Sequence, residues 1–312
     1  MRETSAFKVL TGWAACLGMA MIVAHPAQAI VGTSSTASEG TGVAWLDAVA
    51  KLSITTTVGS FGCSGSLLSG GAYVLTAAHC LTGAGGNGTA SSISVSLLGD
   101  TVSATGAAYF VNPSWNGNLV AGNDIAVIQL SNAITAVNGY SLYLASAQGS
   151  TVALAGYGLT GNGTSGSVNN TFGTLHYGFN EYDASGAYYS SQAISTSIYL
   201  YDFDNGTNLR NMIGSTGLGS AQEAFIASGD SGGPSLVEVN GAWLVAGVHS
   251  FSSCTRFTCP VNSTFGEVAG DTSVFAQAAW LQSVAVVPEP HEYAMLLAGL
   301  GLLGFMRRRI AV

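Results

Sequence analysis

Gly229-Asp230-Ser231-Gly232-Gly233-Pro234 decides the fold when it is read with Leu75-Thr76-Ala77-Ala78-His79-Cys80 and Asn123-Asp124-Ile125-Ala126-Val127. A serine hydroxyl is a weak nucleophile at neutral pH. It needs a base to take its proton and an acid to hold that base in the right tautomer. His79, Asp124 and Ser231 supply one of each.

Gly229 to Gly233 also fits the G-x-S-x-G elbow of α/β-hydrolases, but those enzymes place the acid and then the histidine after the serine. Here the only histidine downstream of a suitable acid is His291, at the C-terminal end, so that reading fails. The order His, Asp, Ser is that of the chymotrypsin-like proteases. TAAHC, NDIAVIQL and GDSGGP at these separations resemble the trypsin/chymotrypsin family, and the resemblance runs from Ile30 to about Val286.

The resemblance implies an all-β fold of two antiparallel six-stranded barrels with a short C-terminal helix, the first over about 30–145 and the second over about 146–286. His79 and Asp124 would lie in the first barrel and Ser231 in the second. The amides of Gly229 and Ser231 would form the oxyanion hole, and a Cys63–Cys80 disulfide would sit beside the catalytic histidine. Ile30-Val31-Gly32 resembles the new N-terminus of an activated protease in this family, whose amino group inserts beside the aspartate before the nucleophile, here Asp230. Gly156-Tyr157-Gly158 resembles a Gly-Trp-Gly element of the second barrel, and Trp280-Leu281 resembles part of the family's terminal helix.

The chain departs from the family where substrate would be chosen. Trypsin-type enzymes carry an aspartate six residues before the nucleophile; that position is Phe225, which disfavours basic substrate side chains. Ser250-Phe251-Ser252 replaces a common Ser-Trp-Gly wall, so the specificity pocket (Phe225, Ser250, Phe251, Ser252) is expected to take apolar or small uncharged residues. Ala227 replaces a cysteine usual four residues before the nucleophile, which leaves Cys254 and Cys259 to close a short loop with each other.

The rest of the chain agrees with export. A basic start (Arg2, Lys8), an apolar run from Val9 to Ala24 and the Ala-Gln-Ala at 27–29 make residues 1–29 a secretory signal peptide cut after Ala29, with an uncleaved anchor as the alternative. Cleavage there releases Ile30 directly, so export itself would activate the protein. Cys16 leaves with this segment, and an even set of four cysteines remains, as an oxidising compartment permits. No CxxC is present, which removes support for a zinc ribbon.

The tail, 287–312, reads Val287-Pro288-Glu289-Pro290, then an apolar stretch from Tyr293 to Met306, then three arginines. That stretch makes about 21 Å of helix, short of the ~30 Å hydrocarbon core. The tail resembles the PEP-CTERM sorting tail of Gram-negative bacteria, which an exosortase recognises and cuts. It implies transient inner-membrane association, with the arginines cytoplasmic, and a final place in the periplasm, on the surface or in the extracellular matrix.

Of 312 residues, 48% are hydrophobic and 8% charged, which excludes disorder and coiled coil. The formal charge is −8, and only Lys51, Arg210 and Arg256 lie between the termini, so no basic surface for nucleic acid exists. The positive mean hydropathy of +0.39 comes with its longest apolar runs confined to the two ends. Short β-branched or alternating runs are read as strands at 73–75, 93–98, 125–130, 151–155, 198–203, 235–239 and 242–248, the last two joined by an Asn240-Gly241 hairpin turn. Ser273 to Val284 is the best internal helix, and 83–92 and 158–186 read as loops. The acids Glu181, Asp183, Asp202 and Asp204 offer calcium ligands but show no organised ligand spacing and read as a solvated loop, with calcium binding as the alternative; no metal and no cofactor is assigned. His176 and His249 read as packed or solvated.

These features describe an exported serine endopeptidase acting on peptides or proteins, processed by signal peptidase and an exosortase-type enzyme. The alternatives are a catalytically silent chymotrypsin-fold matrix or binding protein, and a secreted serine esterase.

Overall fold

The computed structural model describes residues 30–32, 38–214, 218, 223–254 and 262–285. The expected signal segment (1–29), the sorting tail and Cys259 lie outside these residues. Six strands in the first half, β1 (Val49–Thr56), β2 (Gly59–Leu67), β3 (Tyr73–Thr76), β4 (Ala90–Leu97), β5 (Val102–Val111) and β6 (Ala126–Leu130), form a closed barrel in the order β1-β2-β3-β6-β5-β4. Its interior is filled by Leu52, Val74, Val95 and Ile128, all fully buried.

Six longer strands carry the second half: β7 (Thr151–Gly156), β8 (His176–Glu181), β9 (Ile198–Asp202), β10 (Pro234–Val239), β11 (Ala242–Cys254) and β12 (Glu267–Ser273). They lie in the order β9-β12-β11-β10-β7-β8 within a nine-stranded sheet. The turn between β10 and β11 has Asn240 at φ 52° and Gly241 at φ 81°, the left-handed pair that a two-residue hairpin requires.

The second barrel differs from an ideal six-stranded one at a single seam. Among the described residues β8 and β9 share no ladder. Instead the Asn180 side-chain amide, buried at the seam, donates to the carbonyls of Asp202 (2.8 Å) and Ala224 (2.9 Å). Phe179 meets Glu223 in an isolated bridge, which sets the two-residue strand Ala224–Phe225 beside β8.

The N-terminal segment also belongs to this half rather than to the first barrel. Val31 and Gly32 pair antiparallel with Phe225 and Ala224, and Ser38–Glu39 pairs with His176–Tyr177. Ile30 and Val31, fully buried, share a core with Leu154, Tyr201 and Phe225.

The internal helix is shorter than its sequence pattern. β12 runs through Ser273, and α2 occupies only Ala278–Val284, with Leu281 buried. The expected loop at 158–186 contains β8, whose inward positions are His176, Gly178 and Asn180. Its apolar residues face the other way, where Tyr177 meets Trp45 edge-on at 5.1 Å.

Candidate active site

The site forms where the two halves meet. After β3 the chain stays extended at Ala77 and turns into a short helix, α1 (Ala78–Thr82), which carries His79. Cys80, on the same helix, is disulfide-bonded to Cys63 on β2, so the histidine is tied to the barrel wall. Asp124 lies just before β6 and is fully buried.

Asp124 is gripped from several directions. Its Oδ1 accepts the His79 backbone N–H at 2.8 Å, and its Oδ2 lies 2.7 Å from His79 Nδ1 and accepts the Ser250 hydroxyl at 2.6 Å. Thr272 on β12 donates to its carbonyl at 3.1 Å. Gln277, ahead of α2, donates to the Gly122 carbonyl at 2.7 Å. The second half thus positions an acid that belongs to the first. Burial opposes the charged form of His79, but the Asp124 charge and hydrogen bond outweigh it, so its pKa is raised above 6.5.

Ser231 sits on a loop whose backbone is held from both sides. Its carbonyl accepts the N–H of Ser64, a β2 residue next to Cys63, at 2.8 Å, and lies 3.6 Å from Cys80 Sγ. That sulfur is 3.9 Å from His79 Nε2. Ser64 also donates its hydroxyl to the Gly229 carbonyl and accepts from the Tyr157 N–H, each at 2.9 Å.

Around the loop, the N–H groups of Asp230, Gly232 and Gly233 donate to the carbonyls of Ala227, His249 and Asp230. Those of Gly229 and Ser231 donate to no backbone carbonyl among the described residues. Gly229 has φ +96°, and a Cβ there would stand 2.7 Å from the Phe172 ring. Only glycine takes this conformation without strain or a clash.

Asp230 points inward and is fully buried. It accepts from the N–H groups of Gly158 and Ala227, each at 2.8 Å, and from that of Ile30. Burial pushes its carboxyl up to about 6 despite these bonds. Gly156 and Gly158 are explained by close approach, since a Cβ on Gly156 would lie 2.2 Å from an Asp230 carboxylate oxygen.

Three placements differ from the sequence expectation. Phe225 does not line a cavity: its ring is fully buried, stacked on Phe203 at 5.3 Å, because this apolar side chain joins the second core. Ser250 donates to Asp124, a role the sequence did not give it. Asp202 and Asp204, at the end of β9 and two residues beyond it, are buried beside Glu223 rather than solvated. Burial, with the neighbouring carboxylates, pushes Glu223 up to about 9.

Phe251 and Ser252 do line a cavity, with Leu119, Val120, Leu200 and Val268, beside the segment leading to Asp124. Cys254 is disulfide-bonded, while its expected partner Cys259 lies outside the described residues. His249 is buried with Nδ1 3.1 Å from Asp271, and His176 is buried on β8. Ser64, Thr272 and Gln277 carried no signal in the sequence, since each acts on a residue distant along the chain.

The sequence matches the trypsin family over residues 36–264. The chain belongs to the trypsin family. It carries a serine protease domain of that kind, followed by a PEP-CTERM protein-sorting motif at residues 286–310. The structure of HL collagenase is similar in fold, with a TM-score of 0.57 and 20% identity over 80% of this chain and 96% of that one. No curated protein sequence matches. Among the described residues no helix is long and apolar enough to cross a membrane.

Proposed function

We propose that this trypsin-family chain is an exported serine endopeptidase. Ser231 attacks the peptide carbonyl while His79 takes its proton at Nε2. Asp124 keeps the imidazole in the Nδ1–H tautomer and stabilises the imidazolium, and the N–H groups of Gly229 and Ser231 bind the oxyanion. His79 then protonates the leaving amine, and water, activated by the same histidine, releases the acyl group.

The observation that carries this reading is the grip of Asp124 on both the ring and the backbone of His79, beside a serine loop in which two N–H groups meet no backbone carbonyl among the described residues. A buried acid in that position serves a base, not a packing contact. The Phe251 cavity supports apolar recognition N-terminal to the scissile bond, and no acid occupies position 225 to hold lysine or arginine. Cleavage of a peptide library should enrich apolar or small uncharged residues before the cut; dominant cleavage after lysine or arginine would refute this preference.

Protein beginning at Ile30 should be labelled by a fluorophosphonate at Ser231, and Ser231→Ala should remove the label. The labelling rate should rise with pH through an apparent pKa above 6.5, because the raised His79 must lose its proton to act as base. No labelling of folded protein would leave a silent binding protein, and hydrolysis of small esters but not of unstructured protein would leave an esterase.

A further inference from the structure

We propose that Asp202, Asp204 and Glu223 hold a calcium ion beside the short strand Ala224–Phe225. The three carboxylates each bring an oxygen to within 4.8 Å of the others. Oxygens bound to one calcium at 2.3–2.6 Å stand at most about 5 Å apart, so this spacing fits a shared ion.

The second observation concerns what these oxygens lack. Asp204 is 0% exposed and Glu223 1%, yet Asp204 Oδ2 and Glu223 Oε2 have no hydrogen-bond partner among the described residues. Their other oxygens are engaged: Asp204 Oδ1 accepts the Gly206 N–H at 2.6 Å, and Glu223 Oε1 accepts the Asp204 N–H at 3.2 Å. Asp202 Oδ2 accepts the N–H groups of Met212 and Ile213. The backbone thus fixes one oxygen of each side chain, and on Asp204 and Glu223 it leaves the other for a ligand.

No lysine, arginine or histidine pairs with these acids among the described residues. Arg210, on the following loop, donates instead to the Phe265 carbonyl. A buried unpaired carboxylate costs several kcal/mol, and a divalent cation removes most of that cost for three at once. The all-oxygen, all-carboxylate donor set selects a hard cation, and three convergent carboxylates favour calcium over magnesium, which is usually held by one or two with several waters retained.

Position gives the ion a consequence. Asp202 and Asp204 flank Phe203, which stacks on Phe225. Glu223 leads into Ala224–Phe225, the strand that pairs with Val31 and Gly32. An ion here would brace the strand on which the N-terminal segment docks against Asp230. This effect on activity rests on the protease reading; the binding does not.

The test uses protein expressed from its full sequence in an export-competent host, recovered in processed form and freed of metal with chelator. Titration calorimetry should show one calcium per chain with a Kd of about 0.1–1 mM, the range of extracellular sites. Thermal unfolding should shift upward with calcium. Glu223→Gln and Asp204→Asn should each weaken binding at least ~10-fold while unfolding cooperatively in chelator.

Unchanged binding in both variants, or no heat and no shift up to ~10 mM calcium, would overturn the site. Should the variants not fold, terbium-soaked crystals of unmodified protein decide. An anomalous peak among the three carboxylates supports the site, and a peak only elsewhere, or none, overturns it. Calcium binding without fluorophosphonate labelling would sink the protease reading and leave this one standing.

Discussion

Asp124→Asn should lower kcat for peptide hydrolysis about 10⁴-fold, with little change in KM. The magnitude follows from the number of groups that depend on this carboxylate. Oδ1 accepts the His79 backbone N–H, while Oδ2 meets His79 Nδ1 and the Ser250 hydroxyl. An asparagine must place its NH₂ at one of these positions. Against Nδ1 it forces the imidazole into the tautomer with its proton on Nε2, which cannot take the serine proton. Against the His79 N–H it sets donor against donor and displaces α1. The fold should persist, because Asn is nearly isosteric and Gln277 and Thr272 still hold the Asp124 segment through backbone groups. Steady-state kinetics beside a thermal melt is the check. A fall of less than ~10-fold would mean that Asp124 is not the acid of the triad.

The second large effect concerns the amino terminus. Protein that keeps Ala29 should lose roughly 10²- to 10³-fold or more in kcat/KM relative to protein beginning at Ile30, since breaking a buried ion pair costs about 3–5 kcal/mol. In the continuous chain Ile30 is fully buried, at φ +53°, and offers Asp230 only a peptide N–H. Signal cleavage would convert that N–H to an ammonium.

The two forms should also differ in their response to pH. Without the ammonium, burial raises the Asp230 pKa from 3.8 to about 6. A carboxyl raised on folding stabilises the protein fully below 3.8, and that stability is lost as pH climbs through 6, on the order of 3 kcal/mol. In the released form the ammonium favours the carboxylate, and this loss should disappear. Calorimetric melts of both forms between pH 4 and 7 compare them directly. Equal activity, or parallel melting profiles, would refute activation by export.

The first barrel was partly legible in advance and partly hidden. β3, β4 and β6 are apolar and β-branched, so periodicity finds them. β2, Gly-Ser-Phe-Gly-Cys-Ser-Gly-Ser-Leu, is not, because its second half lies under the nucleophile loop, where small residues are required. β8 was hidden for a related reason: its inward face presents a histidine, a glycine and an asparagine, and the asparagine closes a seam that the backbone leaves open.

His79, Asp124 and Ser231 could be named from the sequence because each lies in a dense local motif whose residue types serve one reaction. The resemblance those motifs carry to the trypsin/chymotrypsin family implied the two-barrel fold, beside short β-branched runs that argue for an all-β domain. Tertiary structure alone decided that Ser250, 126 positions from Asp124, supports that acid, that Phe225 fills a core, and that Asp202, Asp204 and Glu223 converge. These are contacts across space between distant segments, and sequence periodicity records which face a residue occupies, not what it meets there.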